Sequence, residues 1–211
     1  MNMYVLMLNG SPREKGCTYT ALAEMADELK KCGAEAEILH IGTDPVQGCI
    51  ACGECDKLDM CVFDGDVVSR FVEQAKKADG FVFGSPVYYA NPNGSMLAAM
   101  DRIFYSSGKW LSGKPAVAVA SARRAGTTSA LDAMQKFFPI NGMPLVPAKY
   151  WPMVFGNRPE ETRLDEEGLQ NMRAIARNMV WMIQSARAAD SADVLRPIQE
   201  QKIYTNFFRK G

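Results

Sequence analysis

The chain has 211 residues, and its 24 Lys and Arg are balanced by 24 Asp and Glu, so the formal charge is zero. That balance excludes the basic footprint with which nucleic-acid binders neutralise phosphates, and the length suits one domain able to bury a full core without metal staples. The N-terminal apolar stretch lacks a basic flank and is too short for a signal sequence or a membrane span, so the reading is a cytoplasmic protein whose six cysteines are reduced or metal-bound.

Apolar runs of strand length lie at residues 4–8, 36–41, 80–83, 116–120 and 144–148, separated by stretches of helical composition at 18–31, 66–77, 95–106 and 128–138. Nearly continuous apolar strands that alternate with helices belong in a parallel sheet covered on both faces. The expected fold class is α/β: a flavodoxin-like, doubly wound, five-stranded parallel sheet in a three-layer α/β/α sandwich. A last helix at 166–187 sets Leu169, Met172, Ile175, Ala176, Met179, Val180 and Ile183 three and four residues apart, an amphipathic stripe for packing on the sheet. Residues 1–187 thus read as one domain. Residues 188–193 read as a small polar linker that opens a 188–211 tail. Its Leu195, Ile198, Ile203, Tyr204, Phe207 and Phe208 suit docking on the domain or on a neighbouring subunit.

Ligands of such sheets bind beyond the carboxyl ends of the strands, where strand order reverses. The loop after the first strand, Asn9-Gly10-Ser11-Pro12-Arg13-Glu14-Lys15-Gly16-Cys17-Thr18, leads into a helix and offers glycines, hydroxyls and two cations, Arg13 and Lys15. These suit an anion at a helix N-terminus. The loop lacks the lysine of a Walker A sequence and the G-x-G-x-x-G spacing of dinucleotide sites, so a phosphate monoester is the better ligand; an ordinary surface turn is the alternative. The loop after the third strand runs through Ser85, Pro86, Val87, Tyr88, Tyr89, Ala90, Asn91, Pro92 and Asn93 to Gly94. Its adjacent tyrosines and rigid prolines read as a flat wall for a planar heteroaromatic ring, or as an aromatic turn over the core. After the fourth strand come Ser121, Ala122, Arg123, Arg124, Ala125 and Gly126. Those arginines either face the same crevice, where positive charge would stabilise an anionic reduced flavin, or are simply solvated. Together the first two loops read as a flavin mononucleotide (FMN) site.

Four of the six cysteines fall in one run, Cys49, Cys52, Cys55 and Cys61, inside a loop at 45–65. Thiolates three residues apart on a tight loop converge on one metal centre and a fourth closes the shell, which points to iron, zinc or redox chemistry. The spacing suits a compact cubane better than zinc, whose structural sites split two cysteine pairs over a longer spacer. Free or redox-switching thiols are the remaining reading. Cys32 reads as a small buried hydrophobe, and the lone His40 as a structural histidine.

Asn9-Gly10-Ser11-Pro12-Arg13 with Gly16 and Thr18, then Ser85-Pro86-Val87-Tyr88 and Met100-Asp101-Arg102, together resemble the NAD(P)H-dependent FMN reductase group of flavodoxin-like proteins, in matching order over about residues 3–185. With the cysteine run added, the chain resembles the iron-sulfur flavoproteins of that group. The resemblance implies that Ser11, Arg13, Cys17 and Thr18 hold the FMN phosphate, that residues 86–89 and Asn91 flank the isoalloxazine, and that residues 121–126 close its far side. It implies a 4Fe-4S cluster on Cys49, Cys52, Cys55 and Cys61. It also implies electron input from NAD(P)H or a ferredoxin-like donor, output to a small-molecule or protein acceptor, and a homodimer or homotetramer. Cys17 is a departure, standing where relatives carry Asn, and a thiol is a poorer phosphate donor. The implied activity is an FMN-dependent oxidoreductase acting on quinones, flavins, nitro or azo compounds or oxygen species. An electron carrier without a substrate pocket is the alternative, and a metal-stapled redox sensor a third.

Overall fold

The computed structural model describes residues 2–197 together with Glu200 and Ile203. In chain order the elements are β1 (Met3–Asn9), α1 (Cys17–Lys31), β2 (Ala34–His40), α2 (Cys55–Leu58), α3 (Val67–Ala75), β3 (Gly80–Tyr88) and β4 (Asn91–Pro92). They continue with α4 (Gly94–Leu111), β5 (Ala116–Ala122), α5 (Thr127–Gln135), α6 (Phe137–Ile140), β6 (Met153–Phe155), α7 (Pro159–Thr162) and α8 (Glu166–Ser191). Strands β2, β1, β3, β5 and β6 pair in that order, all in parallel, and the short β4 folds back antiparallel on β3. The chain steps from β1 outward to β2, then returns past β1 to β3 and onward. Direction therefore reverses between β1 and β3, where Asn9 lies in register with Gly84.

The period-two alternation of the strands sorts side chains onto two faces. Met3, Val5, Met7, Val82, Val117 and Val119 pack with α1 and α8, while Leu6, Leu8, Phe81, Phe83 and the alanines of β5 pack with α3, α4 and α5. Ala116, Ala118 and Ala120 leave room beside β3 for large rings. Phe71, Phe81, Phe83, Phe104, Phe137 and Phe138 fill it with neighbouring centroids 5.2 to 6.1 Å apart. The fold is the expected three-layer α/β/α sandwich.

The fifth strand lies elsewhere than the sequence suggests. Residues 144–148 make a single parallel bridge, Leu145 to Ala116, and the strand proper is Met153–Phe155 against Ala120–Ala122. Pro144 and Pro147 lack the N–H a ladder needs, so the chain leaves the sheet and rejoins it further along. Asn171, buried on α8, holds the excursion: its Oδ1 accepts from the amides of Lys149 and Tyr150, and its Nδ2 donates to the carbonyls of Tyr150 and Trp151.

Helix α8 starts at the expected residue, capped by Asp165, but runs through Ser191, so the expected linker is partly helical. Of the tail, Val194 and Leu195 are exposed and Arg196 pairs with Asp190. Ile198, Tyr204, Phe207 and Phe208 lie outside the described residues. Among the described residues no helix is long and apolar enough to cross a membrane.

Candidate functional site

The first loop is organised by Asn9, fully buried at the end of β1. Its Oδ1 accepts the Ser11 amide at 3.1 Å and its Nδ2 donates to the Glu14 carbonyl at 3.0 Å, which curls residues 10–14 over the strand end. Ser11 Oγ in turn accepts the Arg13 amide at 3.1 Å. His40, at the end of β2, has Nε2 2.8 Å from the Ser11 carbonyl. A carbonyl only accepts, so Nε2 carries the proton and the histidine acts as a brace for this loop, in keeping with its structural reading. Gly10 is required by space: a Cβ there would meet Met96 Sδ at 2.8 Å and the Gly84 carbonyl at 2.9 Å. The Gly10 amide donates to that same carbonyl at 2.7 Å, which joins the loops of β1 and β3.

Helix α1 begins at Cys17 behind Gly16, with no side-chain cap and no acid in its first turn. Side-chain caps close α3 (Asp66), α4 (Asn93) and α8 (Asp165). The first amides of α1 have no intrahelical acceptor, and the positive end of the helix dipole is open. Arg13 and Lys15 stand exposed beside it with no ion pair among the described residues, and against the single acid of the loop, Glu14, they leave it net positive. Thr18 is buried, and its Oγ1 lies 2.8 Å from Ser121 Oγ. That bond spends the threonine hydroxyl on tying the first loop to the third.

The second loop is a tight hairpin in which Tyr88 pairs with Asn91. Its two central residues, Tyr89 and Ala90, both adopt left-handed backbone, φ 50° and 61°. That is the turn type preferred between strands, but it ordinarily takes Asn and Gly, and for L side chains it costs roughly 1–2 kcal/mol per residue. Strain of this kind concentrates where a side chain must be presented, and the Tyr89 ring is fully exposed, with Tyr88 about half so. Asn91 Nδ2 donates to the Tyr89 carbonyl at 3.1 Å, steadying the turn. Pro86 and Val87 are half-buried, and Pro86 lies in register with Ser121. Asn93, to which the sequence reading gave no role, donates from Nδ2 to the Gly10 carbonyl and from its backbone amide to Ser85 Oγ.

In the third loop Arg123 and Arg124 are exposed without ion pairs among the described residues, while Gly126 has φ 90° and packs against Val87 and Ala90. A Cβ on Gly126 would lie 2.8 Å from Ala90 Cα. The structure thus gathers the three loops at one edge of the sheet. A fourth contributes as well: Gly156, just after β6, offers its carbonyl to Cys17 Sγ at 3.5 Å. Its place went unread because the fifth strand was expected at 144–148.

The cysteine run forms a separate centre, on the helical layer of α3 and α4. Cys49, Cys52, Cys55 and Cys61 are all free thiols and line one cavity of about 190 Å³ with Ile50, Val62, Phe63, Tyr105 and Arg102. Among the described residues no three Cys, His, Asp or Glu side chains stand close enough to share a single metal ion. Burial first, and Asp56 second, push the Cys55 thiol above its ordinary pKa, so a metal binding there would expel a proton. The sequence reading missed Arg102 as a member of this centre. Its side chain is 0% exposed. It donates from Nε to Cys61 Sγ at 3.2 Å, from Nη2 to the Phe63 carbonyl at 2.7 Å, and from Nη1 to the Gln47 carbonyl at 3.4 Å and to Asp66. Asp66 Oδ1 caps α3 while Oδ2 takes the guanidinium, so one carboxylate closes the loop onto both helices.

Known proteins resemble this chain along most of its length. An iron-sulfur flavoprotein of Methanocaldococcus jannaschii is 32% identical over 185 residues, covering 81% of this chain and 92% of its own. A second from the same organism is 27% identical over 191 residues, covering 86% and 97%. Among solved structures, a flavodoxin, WrbA-like protein from Agrobacterium tumefaciens superposes with a TM-score of 0.62 at 14% identity, covering 88% of this chain and 99% of its own, which establishes the flavodoxin-like fold. The sequence pattern of the family described as NADPH-dependent FMN reductase matches residues 3–158, and with the uncapped anion loop, the tyrosine turn and the arginine loop at one sheet edge, the chain belongs to that family.

Proposed function

We propose that the chain is an FMN-dependent oxidoreductase that takes electrons from NAD(P)H or a reduced donor protein and passes them to an acceptor, with a 4Fe-4S cluster on Cys49, Cys52, Cys55 and Cys61. The observation that carries the flavin half is the uncapped N-terminus of α1 beside two cations without ion pairs among the described residues, Arg13 and Lys15. A phosphate monoester fits there: the helix amides and the buried Ser11 supply short polar contacts, and the macrodipole and cations supply charge. Tyr88, Tyr89, Pro86, Val87 and Asn91 would wall the ring, and Arg123, Arg124 and Gly126 would close the opposite side.

The cysteine cavity supports the cluster half. Four thiols line one cavity, and their C-x2-C-x2-C-x5-C spacing suits a compact cluster better than zinc, whose structural sites split two cysteine pairs over a longer spacer. When bound, FMN supplies both hydride and single-electron chemistry, and a cluster supplies single electrons. The chain's own part is to orient the ring, tune its electronics through the arginine loop and keep the cysteine ligands in place.

A flavoprotein electron carrier is the second reading, favoured by the same cysteine cavity. Anaerobic stopped-flow separates the two. Rapid bleaching of the flavin by NADPH or NADH supports the enzyme, whereas bleaching only by a reduced ferredoxin-like donor supports the carrier.

A further inference from the structure

Arg102 is costly to bury. A guanidinium with no solvent exposure loses its hydration, and an apolar residue would fill the same space on α4 without that penalty. Burial opposes its charge, but the bonds to Asp66 and Cys61 outweigh burial and hold its pKa above the ordinary arginine value. The arrangement of its donors is informative. Gln47 precedes the cysteine run and Phe63 follows it, so bonds to both carbonyls clamp the two ends of the cysteine segment to one side chain. Phe63 adds its ring, with its centroid 5.3 Å from Arg102 Cζ. Asp66 neutralises the charge. The Nε–H is spent on neither backbone nor carboxylate but on the sulfur of Cys61.

A thiol is a weak acceptor, and a metal-bound thiolate is a much better one. Donors to ligand sulfurs stabilise the more negative, reduced state of a cluster and so raise its potential. The rest of α4 serves the same end: Lys109, two turns on, pairs with Asp59 at 2.5 Å, and Tyr105 and Ser106 between them line the cavity.

We propose that Arg102 is the positioning residue of the cysteine centre, clamping residues 47–63 onto α4, fixing Cys61 as the fourth ligand and donating an N–H to its liganded sulfur. The cluster part of this proposal rests on the reading given under Proposed function.

The test compares the full-length wild-type chain with Arg102→Lys and Arg102→Met, each reconstituted anaerobically with iron and sulfide. Iron and labile sulfide per flavin are assayed, and the cluster is titrated by paramagnetic resonance. Arg102→Met is expected to keep its flavin and lose most of its iron. Arg102→Lys, which keeps the charge but not the Nε donor, should regain iron. Poised at the wild-type midpoint, its ratio of reduced to oxidised cluster should be about tenfold lower, a shift of about 59 mV for one electron. Full iron at the wild-type potential in either folded variant overturns the proposal, and Arg102→Lys decides alone if Arg102→Met does not fold. If the wild type itself takes up no iron, it is the cluster reading that fails. The clamp is then judged by hydrogen exchange of the metal-free proteins: faster exchange confined to residues 47–63 in the folded variants upholds it, and unchanged exchange there overturns it.

Discussion

Thr18 in the first turn of α1 and Ser121 near the end of β5 stand hydroxyl to hydroxyl at 2.8 Å, both buried, across the carboxyl end of β3. The pair fixes the spacing of the anion loop and the arginine loop. Thr18→Val or Ser121→Ala strands one buried hydroxyl, at a cost of about 1–2 kcal/mol in stability. The double variant should cost less than the sum of the two, because neither hydroxyl is then left alone. Urea unfolding of the four proteins checks this, and flavin affinity should fall in all three variants.

The contact between Gly126 and Ala90 predicts opposite effects at its two ends. Gly126→Ala forces a side chain into left-handed backbone and against Ala90 Cα, so it should destabilise by more than about 1 kcal/mol and weaken flavin binding. Ala90→Gly relieves a left-handed alanine and should stabilise by about 0.5–1 kcal/mol. Thermal unfolding with and without added FMN reads both.

Much of this architecture is written in residue alternation. Val5, Leu6, Met7 and Leu8 in β1, and Val117 to Ala120 in β5, are apolar on both sides, which only a doubly covered parallel strand requires. The pattern after β1 likewise marks a loop of special geometry, whose Asn9 and Gly10 the fold uses to shape it. The fifth strand was not legible, because the apolar composition at 144–148 outweighed the two prolines that break its ladder, while Met153–Phe155 is too short to announce itself. Arg102 carried part of the resemblance but no role: one arginine on a helix ordinarily signals a solvated face, and only its tertiary placement puts it on a cysteine sulfur.

Asn171 is the test of that fifth strand. Asn171→Leu retains similar volume but removes four bonds to residues 149–151, which can find water because they are exposed. A loss of about 1–3 kcal/mol is expected, with hydrogen exchange faster at residues 147–155 than elsewhere.

Acid should loosen the layer formed by α1 and α8. Hydrogen bonds from Arg177 and then Lys31 hold the Glu28 carboxyl below its ordinary pKa of 4.5. A depressed folded value means that this group's stabilisation is complete above about pH 4.5 and fades as pH falls through the folded pKa. Thermal midpoints of Glu28→Gln should lie below wild type at neutral pH and converge with it in acid. A constant gap across the titration would show that the carboxylate contributes through packing alone.

The account stands most directly on the visible spectrum of the anaerobically purified full-length chain, with flavin, iron and sulfide assayed on the same sample. It predicts FMN bands over a broad iron-sulfur shoulder, with about four irons per chain. Flavin without iron would contradict the cluster, and protein that neither carries nor takes up FMN would contradict the central claim.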